Sequence, residues 1–178
     1  STATFNTLWH GVADRLERYR TYPRLVGETG GKDFVFVHAS ADPQEVATAL
    51  VRGAFEYQGQ KCSAASRAYV PRSLWPEIRD RMGAMMAAMG QGGVEDFDNF
   101  VNAVIDAPAY DRIMAFLQDA RNAPEARILF GGQGDAREGY FVEPTVIETT
   151  DPHFRTMEEE IFGPVLTVFP YPDEAFEA

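Results

Sequence analysis

Residues 34–70 open as Phe34-Val35-Phe36-Val37, pass through Asp42-Pro43-Gln44-Glu45, and close as Arg67-Ala68-Tyr69-Val70. The first four residues are a continuous apolar run, the pattern of a strand buried on both faces of a parallel sheet. Asp42 then supplies a helix N-cap, Pro43 a proline at the first helical position, and Glu45 a capping-box acid. Val46, Leu50, Ala54 and Tyr57 share one stripe of the helix so begun, which breaks at Gly59. A second strand, Arg67 to Val70, follows the break. Strand, helix and strand in this order build a parallel sheet.

The flanks extend the pattern. Phe5, Leu8, Trp9, Val12, Leu16 and Tyr19 fall at helical spacing and predict a helix ending before Pro23. Arg24 to Glu28 reads as a short strand running into the Gly30-Gly31 turn. Ser73 is placed to cap a helix whose core face carries Ile78, Met82, Met85, Met86 and Met89. After the glycine-rich break at 90–93, Asp106 caps a helix with Tyr110, Ile113, Met114 and Leu117 inside. Ile128-Leu129-Phe130 and Tyr140-Phe141-Val142 read as strands separated by a glycine-rich turn, and Val165 to Phe169 as the last strand. The whole is an α/β arrangement with a mostly parallel sheet, one domain over 1–178.

Composition narrows the function classes. Lys plus Arg number 16 against 27 Asp plus Glu, a formal charge of −11. Such a surface repels phosphate backbones and anionic lipid, which speaks against nucleic acid and membranes as partners. Hydrophobic residues make up 45% of the chain, enough to fill a core and too many for an acidic disordered tail. No signal-peptide layout and no spanning apolar run occur. One cysteine cannot form an internal disulfide, so the chain reads as intracellular. His10, His38 and His153 are scattered, so no metal site is expected. The start at Ser1 and a helix begun at 173–176 suggest a piece excised from a longer protein.

That single cysteine, Cys62, sits in Gly59-Gln60-Lys61-Cys62-Ser63, and Glu28 in Gly27-Glu28-Thr29-Gly30-Gly31-Lys32. Oxidising an aldehyde requires a tetrahedral adduct from which hydride can leave, and a thiolate makes one. Cys62 lies where backbone can approach a substrate, and its own N–H can serve as an oxyanion donor. An ordinary thiol titrates near ~8.5. Lys61 is a source of charge that would favour the thiolate, although adjacent residues often point apart, and the end of the preceding helix opposes it. Glu28 suits a general base if an apolar cavity raises its pKa. Each has a plainer reading, Cys62 as a buried structural residue and Glu28 as part of a surface turn. Glu158-Glu159-Glu160 is by default a solvated face, although a carboxylate there can also hold ribose hydroxyls. Phe162 beside it is either core packing or a platform for a nicotinamide ring.

Glu-x-Gly-Gly-Lys, a cysteine 34 positions later (62 − 28) in Gly-Gln-x-Cys, and Glu160-Ile161-Phe162-Gly163-Pro164 occur in one order. The ordered triple resembles the catalytic domain of the NAD(P)-dependent aldehyde dehydrogenases. The resemblance implies an α/β fold whose mostly parallel sheet has helices on both faces. It also implies Cys62 as nucleophile, Glu28 as general base, Glu160 as ribose ligand and Phe162 as cofactor contact. Tyr22 to Glu28, Ala54 to Ala64, Tyr69 to Trp75 and Ala103 to Asp106 are similar to the branch that oxidises L-glutamate γ-semialdehyde in proline breakdown, the Δ1-pyrroline-5-carboxylate dehydrogenases. In that branch Ser63 falls on the serine that helps hold the substrate's α-carboxylate, and NAD is the usual cofactor. The branch further implies a small aldehyde substrate, a homo-oligomeric parent, and in some members partnership or fusion with a proline dehydrogenase. A cytoplasmic protein, or a mitochondrial matrix protein in a eukaryote, is the matching location. The family's nucleotide-binding half and its C-terminal oligomerisation segment would lie outside 1–178, so the isolated piece is expected to be inactive.

Two rivals compete with that reading. A cysteine hydrolase or acyltransferase would use His38 or His153 as base, and neither histidine sits in a recognisable motif. A non-catalytic relative that has kept the fold would have no need of both Cys62 and Glu28.

Overall fold

The computed structural model describes residues 1–176, and the end of the helix expected from 173 lies outside them. The contacts divide the chain into two compact units, residues 1–31 and 32–178.

In the first unit Ser1 caps helix α1 (Thr2–Ala13) by accepting from the Thr4 amide. Phe5 and Trp9 meet edge-on, ring centroids 5.5 Å apart, and the Phe5 ring packs on the backbone of Gly27. The helix stops at Ala13, well before Pro23, and a single 3-10 turn follows at Leu16–Arg18. Residues 24–28 form no strand, which corrects the expectation from the sequence. A strand needs a neighbour to take its amides and carbonyls; none pairs with 24–28 among the described residues, and Val26 is 91% exposed.

The second unit is built on a five-stranded sheet. Its strands are β1 (Phe34–Phe36), β2 (Arg67–Pro71), β5 (Ala126–Phe130), β8 (Thr145–Thr149) and β9 (Val165–Tyr171), in the order β1-β2-β9-β8-β5. Two-stranded ribbons pair β3 (Gly90–Gln91) with β4 (Asn99–Val101) and β6 (Gly134–Asp135) with β7 (Phe141–Val142). In the main sheet every pairing is parallel except β5 with β8. The central strand β9 pairs Val168 with Ala68 on one side and Leu166 with Val146 on the other.

Alternation along β9 divides the core. Leu166 and Val168 join Ala68, Val70 and Val146 beneath helices α2 (Pro43–Phe55) and α3 (Trp75–Ala87). Val165 and Ile147 face the opposite way, into a cluster with Ile113, Phe116 and Leu117 of helix α4 (Ala107–Asn122) and with Met157 of the one-turn helix α5 (Arg155–Glu158). Helices therefore cover both faces of a mostly parallel sheet, as the sequence implied.

Local chemistry explains the elements. Asp42 accepts from the amides of Gln44 and Glu45 at 2.8 and 3.0 Å, and Asp106 from that of Ala109 at 2.8 Å. Ser73 does not cap α3. Its amide and hydroxyl both donate to Asp173, and the helix begins after Leu74. Strand β1 is an edge strand with Phe34 and Phe36 exposed, so the expectation of burial on both faces fails there. Residues 141–142 pair with 134–135 and not with β5. Strand β8 was hidden from the sequence reading because its buried Thr145 and Thr149 look polar. Each satisfies its hydroxyl on a backbone carbonyl, Thr145 on that of Glu143 at 2.7 Å and Thr149 on that of Glu125 at 3.1 Å.

Candidate active site

The chain leaves α2 through an unusual bend. Tyr57, Gln58 and Gly59 are consecutive residues in left-handed backbone, with φ of 54°, 56° and 64°. Tyr57 consequently leaves the helix stripe expected of it and is 63% exposed. Gln58 turns inward and donates to the Ala103 carbonyl at 3.1 Å, while Gln60 Oε1 accepts from the Ile105 amide at 3.0 Å. These two glutamine contacts pin the loop to residues 103–105. The Ala64 amide then bonds the Lys61 carbonyl at 3.1 Å. Cys62 and Ser63 occupy the two corner positions of that turn, and both are exposed.

Gly59 also fixes what lies behind the loop. A Cβ there would overlap the Gly163 carbonyl and stand 2.8 Å from the Ala54 oxygen. Gly163 in turn has no room for a side chain, because a Cβ would lie 2.5 Å from Ile113 Cδ1. The two glycine motifs read separately from the sequence thus meet backbone to backbone. Close approach of this kind is what glycine permits.

Beyond Gly163 the third motif alternates. Ile161, Gly163 and Pro164 are buried, and Glu160 before them and Phe162 among them are exposed. Phe162 has φ 57°, a left-handed conformation that is costly for an aromatic residue. It shares a recess with Tyr57, Gln60, Val94 and Ile105. Ile161 is held from α4, where Arg112 Nε donates to its carbonyl at 3.4 Å. Cys62, Ser63, Glu160 and Phe162 are thus carried by loops that share the Gly59–Gly163 contact. Phe162 is 38% exposed at the edge of that recess.

Lys61 does not serve the thiol directly. Its ammonium pairs with Glu56 at 2.9 Å, and that hydrogen bond is the main reason the Glu56 carboxyl titrates below its ordinary range. Cys62 is not the buried structural cysteine of the plainer reading. Glu28 lies in the first unit, in irregular backbone and exposed, where the base role asks for an apolar cavity. Each unit stands by itself in this respect. His38 Nδ1 engages Ser40 at 2.8 Å and His153 Nδ1 engages Glu158 at 2.8 Å, both near neighbours in sequence.

Sequence reasoning gave no role to Lys32, Arg67, Gln58 or Gln60. Lys32 is half-buried and donates to the Thr156 carbonyl at 2.7 Å. Burial first, and then repulsion from Arg67, lower its pKa to about 8 against the upward pull of Glu160 and Glu159. The available signal was its place in Gly30-Gly31-Lys32, directly before a strand.

Residues 10–177 match the family model described as aldehyde dehydrogenase family. The chain belongs to the aldehyde dehydrogenase family. Its similarity to named members of that family is high over nearly the whole chain. It is 51% identical to a mitochondrial Δ1-pyrroline-5-carboxylate dehydrogenase of Dictyostelium discoideum, over 99% of this chain and 32% of that protein. It is 54% identical to the protein of the same name from Rattus norvegicus, over 99% of this chain and 31% of that one. The crystal structure of the Mycobacterium tuberculosis Δ-pyrroline-5-carboxylate dehydrogenase bound with NAD superposes with a TM-score of 0.91 at 48% identity, covering 99% of this chain and 32% of that chain. The chain therefore spans about a third of the length of the relatives it matches. No helix among the described residues is long and apolar enough to cross a membrane, and none of their His, Cys, Asp and Glu side chains cluster as a metal site.

Proposed function

We propose that this chain is the catalytic segment of an NAD-dependent dehydrogenase that oxidises L-glutamate γ-semialdehyde to L-glutamate. The observation that carries the reading is the Gly59–Gly163 contact. It sets an exposed cysteine turn against a loop that displays a carboxylate and an aromatic ring. The substrate follows from about 50% identity to relatives named for this reaction.

The Cys62 thiolate adds to the aldehyde carbon, whose oxygen becomes an alkoxide. The Cys62 amide at the turn corner is the chain's own donor to that oxygen. NAD, when bound, takes the hydride that the tetrahedral carbon releases. The carbon is then a thioester on Cys62. Glu28 removes a proton from water, which attacks the thioester carbonyl and releases the acid and the thiol. Ser63, at the other corner of the turn, donates to the substrate's α-carboxylate. The fit for the cofactor rests on Glu160 and Phe162. The first offers two acceptor oxygens to ribose hydroxyls, and the second an exposed ring face for the nicotinamide.

Replacing Cys62 by Ala in the full-length protein is expected to abolish NADH formation and leave the NAD dissociation constant within about twofold of wild type. The nucleophile makes the adduct and does not hold the cofactor. Stopped-flow absorbance and fluorescence titration check the two halves. Turnover above about 1% of wild type would remove Cys62 from the role.

A further inference from the structure

Three polar contacts hold α5 onto the sheet. Lys32 Nζ donates to the Thr156 carbonyl at 2.7 Å, and Arg67 Nη1 to the Met157 carbonyl at 3.1 Å. Thr167 Oγ1 donates to Thr156 Oγ1 at 2.7 Å, and both threonines are buried. A single helical turn leaves its last carbonyls without partners of their own, so two cations aimed at them from neighbouring segments fix where the turn ends. Arg67 is itself fixed by the Tyr69 hydroxyl at 3.4 Å and by the Phe34 ring beneath its guanidinium. The next residues along the chain are Glu159 and Glu160. Arg155 holds Glu159 at 2.8 Å.

The charges that act on Lys32 come from two directions. Arg67 reaches it from β2, and Glu159 and Glu160 from the loop after α5. A lysine partly withdrawn from water beside an arginine is costly in its charged form. The hydrogen bond it makes to the backbone of α5, at Thr156, lies four residues before Glu160 in sequence.

We infer that Lys32, supported by Arg67, is a positioning residue for Glu160: it fixes the end of α5 through the Thr156 carbonyl and orients the Glu160 carboxylate towards the ribose. The inference rests on the reading of Glu160 as ribose ligand. The effect of Lys32 on the cofactor passes through Glu160. Because its pKa is about 8, the orienting charge is present at pH 7 and disappears as pH rises through 8. A loss of cofactor affinity over that range follows, and arginine at the same position would not show it.

The test uses the full-length protein with NAD as titrant. Lys32→Met is expected to weaken NAD about tenfold, with Lys32→Arg retaining most of the affinity. The double variant Lys32→Met/Glu160→Gln should bind no more weakly than Glu160→Gln alone. In wild type the Kd for NAD should rise between pH 7 and 9, and in Lys32→Arg it should stay flat. Amide exchange without NAD should quicken over residues 157–163 in Lys32→Met while β9 is unchanged, which a general loss of stability would not produce. Additive losses in the double variant, or unchanged exchange over 157–163, would overturn the positioning role. If Glu160→Gln alone binds NAD normally, the ribose reading fails. The exchange comparison then still decides whether Lys32 orders the loop. Should Lys32→Met not fold, the pH profiles of wild type and Lys32→Arg decide, and parallel profiles reject the inference.

Discussion

A methyl group at Gly59 has nowhere to go. It would overlap the Gly163 carbonyl, approach the Ala54 oxygen, and sit on a residue whose φ of 64° already disfavours a side chain. The left-handed conformation alone costs a non-glycine residue roughly 1–2 kcal/mol, and the overlap adds to it. Gly59→Ala is therefore expected to lower stability by more than about 2 kcal/mol and to displace the Cys62 turn. Urea unfolding measures the first and the rate of thiol alkylation the second; a variant unchanged in both would show that the bend relaxes freely. Glycine at 59 was legible as a break. The left-handed Tyr57 and Gln58 were not, because neither residue type signals positive φ and the helical spacing of Val46, Leu50 and Ala54 runs straight on to Tyr57. The pairing of Lys61 with Glu56 was equally hidden, since a lysine next to a cysteine invites the thought that it serves the thiol. Only the geometry shows that its charge is held by the carboxylate at the end of the helix.

Among the elements, those with chemically explicit ends were the most readable. Asp42 and Asp106 each accept amides from the helix they begin, and α2 and α4 start where the sequence places them. Ser73 shows the limit of the same rule. A serine before a helix is a cap only if no stronger partner competes, and the carboxylate of Asp173, a hundred positions away, takes it. The contrast is measurable. Asp42→Ala should cost about 0.5–2 kcal/mol through α2. The full-length variant's urea midpoint gives the value, and a loss under about 0.3 kcal/mol would mean the two amides bond to water equally well. The strands divide in the same way. β2 and β9 announce themselves as apolar runs, β8 is concealed by buried threonines that find backbone acceptors, and residues 24–28 mislead because an apolar run without a neighbour is not a strand. Edge position is likewise invisible in sequence, which is why Phe34 and Phe36 looked buried and are not.

For the molecule as a whole, the proposed chemistry asks for two groups, a nucleophile at Cys62 and a base at Glu28. Their roles separate in time. Attack by the thiolate and loss of hydride require Cys62, whereas a base is needed only when water must open the thioester. Glu28→Gln keeps the size and the hydrogen-bonding capacity of the side chain and removes its basicity. In the full-length protein the variant should produce NADH in a burst close to one equivalent per active site, because acylation remains intact. The steady rate afterwards should fall by about 10²–10⁴, the usual contribution of general-base catalysis. Mass spectrometry of the quenched reaction should find the acyl group on Cys62. Mixing in a stopped-flow instrument resolves the two phases, and the sign of the outcome is unambiguous. Equal slowing of burst and steady rate would assign Glu28 to the shape of its segment. A steady rate left unchanged would mean that another group activates the water.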